Sequence, residues 1–224
     1  MDSRRMKRCG LLGVYKRLYN FFGPQRWWPA GTRFEVIVGA ILTQNTSWAN
    51  VKKAVHNLKK AGALSFRSLE DMPGRRLARL IRPSGYYNIK ARRLKNFIDY
   101  LSSSYGGSIK AASGRDTGIL RKELLSVNGV GPETCDSILL YAMEKPVFVV
   151  DAYTRRIFSR HGLIKSGADY REIQRLFEDC LPQDVRMFNE YHALIVRLGK
   201  EMCKKVPLCK KCPLKDVGTI TYSA

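Results

Sequence analysis

Leu124-Leu125-Ser126-Val127-Asn128-Gly129-Val130-Gly131-Pro132-Glu133-Thr134-Cys135-Asp136-Ser137-Ile138 joins two helical patterns through a Gly-Val-Gly turn, and Val149-Val150-Asp151-Ala152-Tyr153 follows downstream. Glycines at such a turn allow φ > 0 and a close approach of the backbone to a ligand. The N–H groups that begin the next helix then face outward, an arrangement that grips an anion. The stretch reads as a helix-hairpin-helix, with Asn128, Gly129, Val130, Gly131 and Thr134 at a phosphate backbone. Phosphate contacts position a duplex and carry no sequence information. A G-x-G before a helix is also common as a plain turn, so the rest of the chain has to decide between the two.

The charge balance favours the nucleic-acid reading. The 224 residues carry 40 Lys and Arg against 19 Asp and Glu, a formal charge of +21. An excess of that size points to a polyanionic partner, and double-stranded DNA is the expected one. Hydrophobic residues make up 45%, an ordinary share for a folded chain and too high for a disordered one. No apolar run reaches the ~18–20 residues of a membrane span, so no membrane partner is expected. Met1-Asp2-Ser3-Arg4-Arg5-Met6-Lys7-Arg8 lacks a following apolar stretch and does not read as a secretory signal. The expectation is a cytoplasmic, nucleoid-associated monomer.

Periodicity makes the chain almost entirely helical. Val51, Val55 and Leu58 recur at helical spacing, as do Leu94, Phe97, Ile98 and Leu101. Further helices are expected over Leu120–Val127, Thr134–Met143, Ala152–Arg160, Tyr170–Leu181 and Phe188–Met202. The apolar run Phe34–Leu42 is too short to type by periodicity. The Ser- and Gly-rich stretch Ser102–Gly118 reads as a linker or surface loop. Val147-Phe148-Val149-Val150 has strand propensity but is read as an extended buried connector.

Asp151 ends that connector. An Asp in this position commonly caps the next helix, and it is also a fixed carboxylate. Breaking an N-glycosidic bond builds positive charge on the sugar, which a carboxylate stabilises while orienting the attacking water. The two roles are compatible. The hairpin followed by Val-Asp resembles the helix-hairpin-helix DNA glycosylases of the endonuclease III superfamily. The resemblance implies an all-α, two-lobed fold with a C-terminal cysteine-bearing loop, one lobe from residues 1–30 and 146–224 and the other, with the hairpin, from 31–145. It also implies that Asp151 is catalytic. Bifunctional members carry a nucleophilic Lys where this chain has Glu133. A carboxylate cannot form the Schiff base that strand cleavage requires. Asp151 and Glu133 together therefore imply base removal by water without lyase activity, with Lys145 the lysine to suspect as a substitute amine.

Trp27-Trp28-Pro29, Leu42-Thr43-Gln44-Asn45-Thr46-Ser47-Trp48 and Arg82-Pro83-Ser84-Gly85-Tyr86-Tyr87-Asn88 resemble the 3-methyladenine DNA glycosylase III branch. By that resemblance Gln44 fills the hole left by a flipped base, and Trp27, Trp28, Pro29 and Trp48 line the base pocket. An enzyme acting on a base must take it out of the stack, and Trp faces attract the cationic N-alkylpurines. Without the resemblance, core packing is the better reading of Trp27, Trp28 and Trp48. The expected function is a monofunctional DNA glycosylase for alkylated purines in base excision repair. The alternatives are a uracil or thymine-mismatch glycosylase, an endonuclease III-like lyase on oxidised pyrimidines, and a non-catalytic DNA-binding module.

His56, His161 and His192 show no ligand spacing and read as structural or surface residues. Of six cysteines, Cys203, Cys209 and Cys212 crowd the C-terminus, which favours metal over disulfides in a chain without a secretory signal. The segment resembles the [4Fe–4S] loop of endonuclease III relatives, but Gly218 stands where the fourth cysteine is due. An iron–sulfur cluster, zinc and no metal are the three outcomes to distinguish, with Cys180 and His192 as candidate fourth ligands. Lys204, Lys205, Lys210 and Lys211 would meet phosphates.

Overall fold

The computed structural model describes residues 10–25, 27 and 30–218, and these form helices and connectors with no strand. The chain divides into two compact units. One comprises Trp28–Lys145, the other Met1–Trp27 together with Pro146–Ala224.

In the Trp28–Lys145 unit the helix Arg33–Leu42 is central: every side chain from Phe34 to Leu42 is buried. A helix apolar on all sides belongs inside, which is why its sequence shows no amphipathic period. Thr32 caps it, its hydroxyl accepting from the Glu35 N–H at 3.1 Å. Trp48–Lys60 packs alongside through Val51, Ala54, Val55 and Leu58, a helical stripe, and carries Lys59 and Lys60 in the last turn where the helix dipole favours cations. Short helices Phe66–Glu70 and Gly74–Leu80 lead to the long helix Tyr87–Tyr105. Lys90 on that helix is almost wholly buried. Its Nζ donates to the carbonyls of Leu42 at 2.8 Å and Ser84 at 2.6 Å, so a terminal carbonyl of the central helix finds a donor. Burial, assisted by neighbouring Arg93, pushes the Lys90 ammonium down to about 8.

Ser102–Gly118 is not the loop expected. The Tyr87–Tyr105 helix continues through the serines, and Ile109–Ser113 adds a helical turn. Ser costs a helix only a few tenths of a kcal/mol, roughly, and the side chains here are anchored. Ser102 Oγ donates to Glu70 Oε1 at 2.6 Å, and the Tyr100 and Tyr105 hydroxyls both donate to Glu123 Oε2. The hairpin helices are Thr117–Ser126 and Pro132–Ser137, the latter widening into a π-turn over Ile138–Ala142. Arg121 ties them with a two-pronged contact to Asp136, Nε to Oδ1 at 2.7 Å and Nη2 to Oδ2 at 3.0 Å.

The second unit holds the helices Leu11–Phe22, Ala152–Arg160, Tyr170–Cys180 and Val185–Glu201. Its core is aromatic. Phe148 and Phe177 stack with centroids 4.0 Å apart, Phe158, Phe188 and Tyr191 pack edge-on around them, and the Tyr191 hydroxyl donates to Leu11 O at 2.9 Å. Each such ring contributes about 1.5–3 kcal/mol by burial. Val147–Val150 is the extended buried connector expected. Buried backbone groups require partners, and the Tyr170–Cys180 helix supplies them. Gln174 Nε2 donates to Phe148 O at 2.8 Å, and Glu178 Oε1 accepts from Phe148 N at 3.1 Å. Side chains thus replace the neighbouring strand that the propensity suggested.

Candidate active site

The hairpin group lies in the Trp28–Lys145 unit. Gly129 has φ +97, and a Cβ there would stand 2.2 Å from Arg93 Cγ. Glycine is therefore required by backbone and by space. Gly131 caps the Pro132–Ser137 helix, and a Cβ on it would meet nothing within 4 Å, so the backbone there is open to an approaching ligand. Val130 is buried and turned inward, and Asn128 O accepts from Asn96 Nδ2 at 2.9 Å. Gln44 joins this group. Its Nε2 donates to Gly129 O at 3.0 Å and to Thr134 Oγ1 at 2.9 Å, and its Oε1 accepts from Arg93 Nη1. The structure thus brings Gln44, Gly129 and Thr134 together and adds Arg93, which the sequence reading missed. Arg93 had no signal beyond the Arg92-Arg93 pair on a helix. Glu133 is exposed in the first turn of the second hairpin helix, where a negative side chain suits the dipole. Lys145 Nζ donates to Arg115 O at 2.8 Å and is thereby engaged within its own unit.

Trp48 opens the Trp48–Lys60 helix and lines a cavity with Glu35, Gly39, Lys52, Val55, His56 and Lys59. Glu35 Oε1 pairs with Lys59 Nζ at 2.7 Å, and Oε2 accepts from Gly31 N at 3.0 Å. Trp27 belongs to the other unit, where Lys200 Nζ stands 5.7 Å from its ring centroid. Trp28 and Pro29 lie outside the described residues.

The Asp151 carboxylate lies in the second unit. Asp151 is buried and caps the Ala152–Arg160 helix in a reciprocal box with Thr154. Oδ1 accepts from Thr154 N at 2.7 Å and from Thr154 Oγ1 at 2.9 Å. Oδ2 faces His192 Nε2 at 3.5 Å. Burial opposes ionisation of this carboxyl, but His192 and the two Thr154 donors outweigh it and hold Asp151 below its ordinary value. The sequence marks His192 as a structural or surface residue and as a candidate fourth metal ligand. It comes beside Asp151 because Gly199 lets the two helices close: a Cβ at 199 would meet the Tyr153 ring at 2.2 Å. No sequence spacing links positions 151 and 192; only the packing does.

The same helix carries the cysteine loop at its other end. Arg156 Nε donates to Cys203 O at 2.8 Å and Nη2 to Gly199 O at 3.1 Å. Arg160 Nη1 donates to Lys204 O at 2.6 Å, and Nη2 to Lys205 O at 3.1 Å. Cys203, Cys209 and Cys212 line one cavity with Arg160, His161 and Leu208. Burial pushes the Cys212 thiol up, and the neighbouring cysteines add to the shift. A four-cysteine cluster does not fit this loop. Gly218 has φ +68, and a Cβ there would stand 2.1 Å from His161 O. Of the two fourth-ligand candidates, Cys180 is disulfide-bonded and His192 faces Asp151. Among the described residues no three His, Cys, Asp or Glu side chains are grouped to hold a metal ion. Cys203, Cys209 and Cys212 are free thiols.

Comparison with known proteins follows the same lines. Residues 38–183 match the HhH-GPD superfamily base excision DNA repair protein pattern. The chain is 52% identical over 204 residues to a Methanocaldococcus jannaschii protein described as "Putative DNA repair glycosylase MJ1434", covering 91% of this chain and 93% of that one. Its fold is similar to the H. pylori 3-methyladenine DNA glycosylase (MagIII) bound to 1,N6-ethenoadenine, with TM-score 0.73 and 30% identity over 88% of this chain and 97% of that one. A non-covalent endonuclease III–DNA complex shares the fold at TM-score 0.80 and 22% identity, covering 93% of each chain. The chain belongs to the HhH-GPD superfamily of base excision DNA repair proteins, the helix-hairpin-helix glycosylases related to endonuclease III.

Proposed function

We propose that the protein is a monofunctional DNA N-glycosylase that removes an alkylated purine of the 3-methyladenine type from duplex DNA. The observation that carries this reading is the pair of carboxylates. Asp151 is buried, held ionised and committed at only one oxygen to its helix cap, while Glu133 occupies the hairpin position where a lyase needs an amine. In the proposed reaction the bond from the sugar C1′ to the base nitrogen breaks and its electron pair leaves with the base. Asp151 stabilises the cationic sugar and directs a water to C1′, and the water's proton passes to solvent. The Gly129–Gly131 turn grips the phosphate backbone, Gln44 leaves its hairpin contacts to fill the duplex, and Trp27, Trp28, Pro29 and Trp48 receive the base. The bound ligand of the H. pylori neighbour supports a modified adenine. No step is assigned to an iron–sulfur group.

A second reading, uracil or mismatched thymine, has one observation in its favour. Lys200 already places a cation over Trp27, which disfavours a cationic base on that ring and stabilises an anionic leaving group. The test is single-turnover release of base from methylated and from uracil-containing duplexes by one preparation, each with and without alkali. Faster release from methylated DNA, with nicks only after alkali, is expected. Faster uracil release overturns the substrate, and alkali-independent nicking overturns the monofunctional assignment.

A further inference from the structure

Oδ1 of Asp151 carries both Thr154 donors, so Oδ2 is the oxygen left for a reacting sugar. That oxygen faces the His192 ring at 3.5 Å, beyond hydrogen-bond length and within range of strong charge interaction. We propose that His192 is a positioning residue for Asp151: it sets the direction of Oδ2 and keeps the carboxyl charged as the sugar becomes cationic. The proposal rests on the reading of Asp151 as the carboxylate that assists excision.

The geometry is built rather than incidental. His192 is 6% exposed, so its ring has little freedom to swing away. Four charged groups on the two helices that meet here have contacts elsewhere, and Arg186 is exposed. Arg155 donates to Ala168 O, Arg156 to Cys203 O and Gly199 O, Glu190 accepts from Gln25 N, and Arg197 engages Glu201 and Phe22 O. Among the described residues, His192 and the uncharged Thr154 stand against the burial of Asp151. Removing the imidazole leaves burial less opposed, and the carboxyl then takes up a proton at higher pH. The ring acts on a carboxylate oxygen and not on the hairpin that grips DNA, so duplex affinity is a separate readout.

The experiment compares wild type, His192→Ala, His192→Gln and Asp151→Asn. Gln reaches the position of the ring Nε2 with an N–H donor but carries no charge. Single-turnover excision is measured against pH on methylated and uracil-containing duplexes, alongside affinity for undamaged duplex. His192→Ala should slow excision roughly 10- to 100-fold, the cost of a misplaced group, with duplex affinity within about twofold of wild type. Its acid limb should move to higher pH. His192→Gln should recover part of the neutral-pH rate while keeping the moved limb. Labelled-aspartate 13C NMR follows the Asp151 carboxyl directly and gives the same comparison without turnover. An unmoved acid limb and an unmoved Asp151 titration in a folded His192 variant overturn the proposal. If Asp151→Asn excises normally, the reading of Asp151 fails instead, and the NMR titration still decides whether His192 governs that carboxyl.

Discussion

Asp151→Asn is the sharpest perturbation of the proposed chemistry, because the structure separates the charge from the fold. The amide oxygen of Asn keeps the contacts made at 2.7 and 2.9 Å to Thr154 N and Oγ1, so the Ala152–Arg160 helix retains its cap. The amide nitrogen takes the place of Oδ2, 3.5 Å from His192, and offers the ring a donor. The negative charge alone is removed. One preorganised electrostatic term of this kind is worth roughly two to four orders of magnitude in rate, or about 2.7–5.4 kcal/mol at 1.36 kcal/mol per factor of ten. Single-turnover excision should fall by that amount, while affinity for undamaged duplex stays near wild type. Multiple-turnover rates are unsuitable, since slow product release hides chemistry. A folded Asp151→Asn protein that excises within about threefold of wild type would show that the carboxylate is a helix cap and nothing more.

Acid should expose the same group thermodynamically. The folded Asp151 pKa lies below its unfolded value, so its stabilisation is present above the unfolded pKa near ~3.9 and is lost as pH falls through the folded one. Denaturant titrations from pH 6 down to about 2 should give a shallower loss for Asp151→Asn than for wild type; parallel losses contradict the shift. Gly129→Ala meets a positive φ and a Cβ placed against Arg93, and should cost about 1–3 kcal/mol in stability as well as weakening duplex binding. An Ala variant with wild-type affinity and melting removes the glycine requirement. Gly218→Cys should not build a fourth ligand: its Cβ would collide with His161 O. The variant should lose about 1–3 kcal/mol and gain no iron over wild type by metal analysis, and stoichiometric iron in the variant contradicts the packing.

Much of this protein was legible along the chain because its decisive elements are local. The Gly-Val-Gly turn needs one positive φ, and the sequence shows it as glycine at 129. The sequence offers Asp151 as cap and carboxylate together, and the structure shows the cap at Oδ1 and turns Oδ2 toward His192. What escaped was made by tertiary packing. His192 meets Asp151 through the close approach of two helices at Gly199, and Arg93 meets Gln44 across elements far apart in sequence. Neither leaves a spacing to read. Ser102–Gly118 misled for a different reason: turn-forming residues describe local preference, and the anchors at Glu70 and Glu123 overrule it. The Phe34–Leu42 run resisted typing because a helix buried on every side has no polar face to reveal its period.

The grip of Arg156 and Arg160 on the loop after the last helix has an evolutionary consequence. Apart from one contact with the Cys203 sulfur, the partners are main-chain carbonyls, those of Gly199, Cys203, Lys204 and Lys205. Any amino acid supplies a carbonyl. The loop is therefore moored in part by atoms that substitution does not alter; Cys203, Cys212 and Leu214 anchor it by burial, and its exposed lysines are released from the duty of holding it. Lysines along its rim can be exchanged without loosening the helix whose opposite end carries Asp151. Selection on how the loop meets its surroundings and selection on the Asp151 end of the helix can then proceed independently.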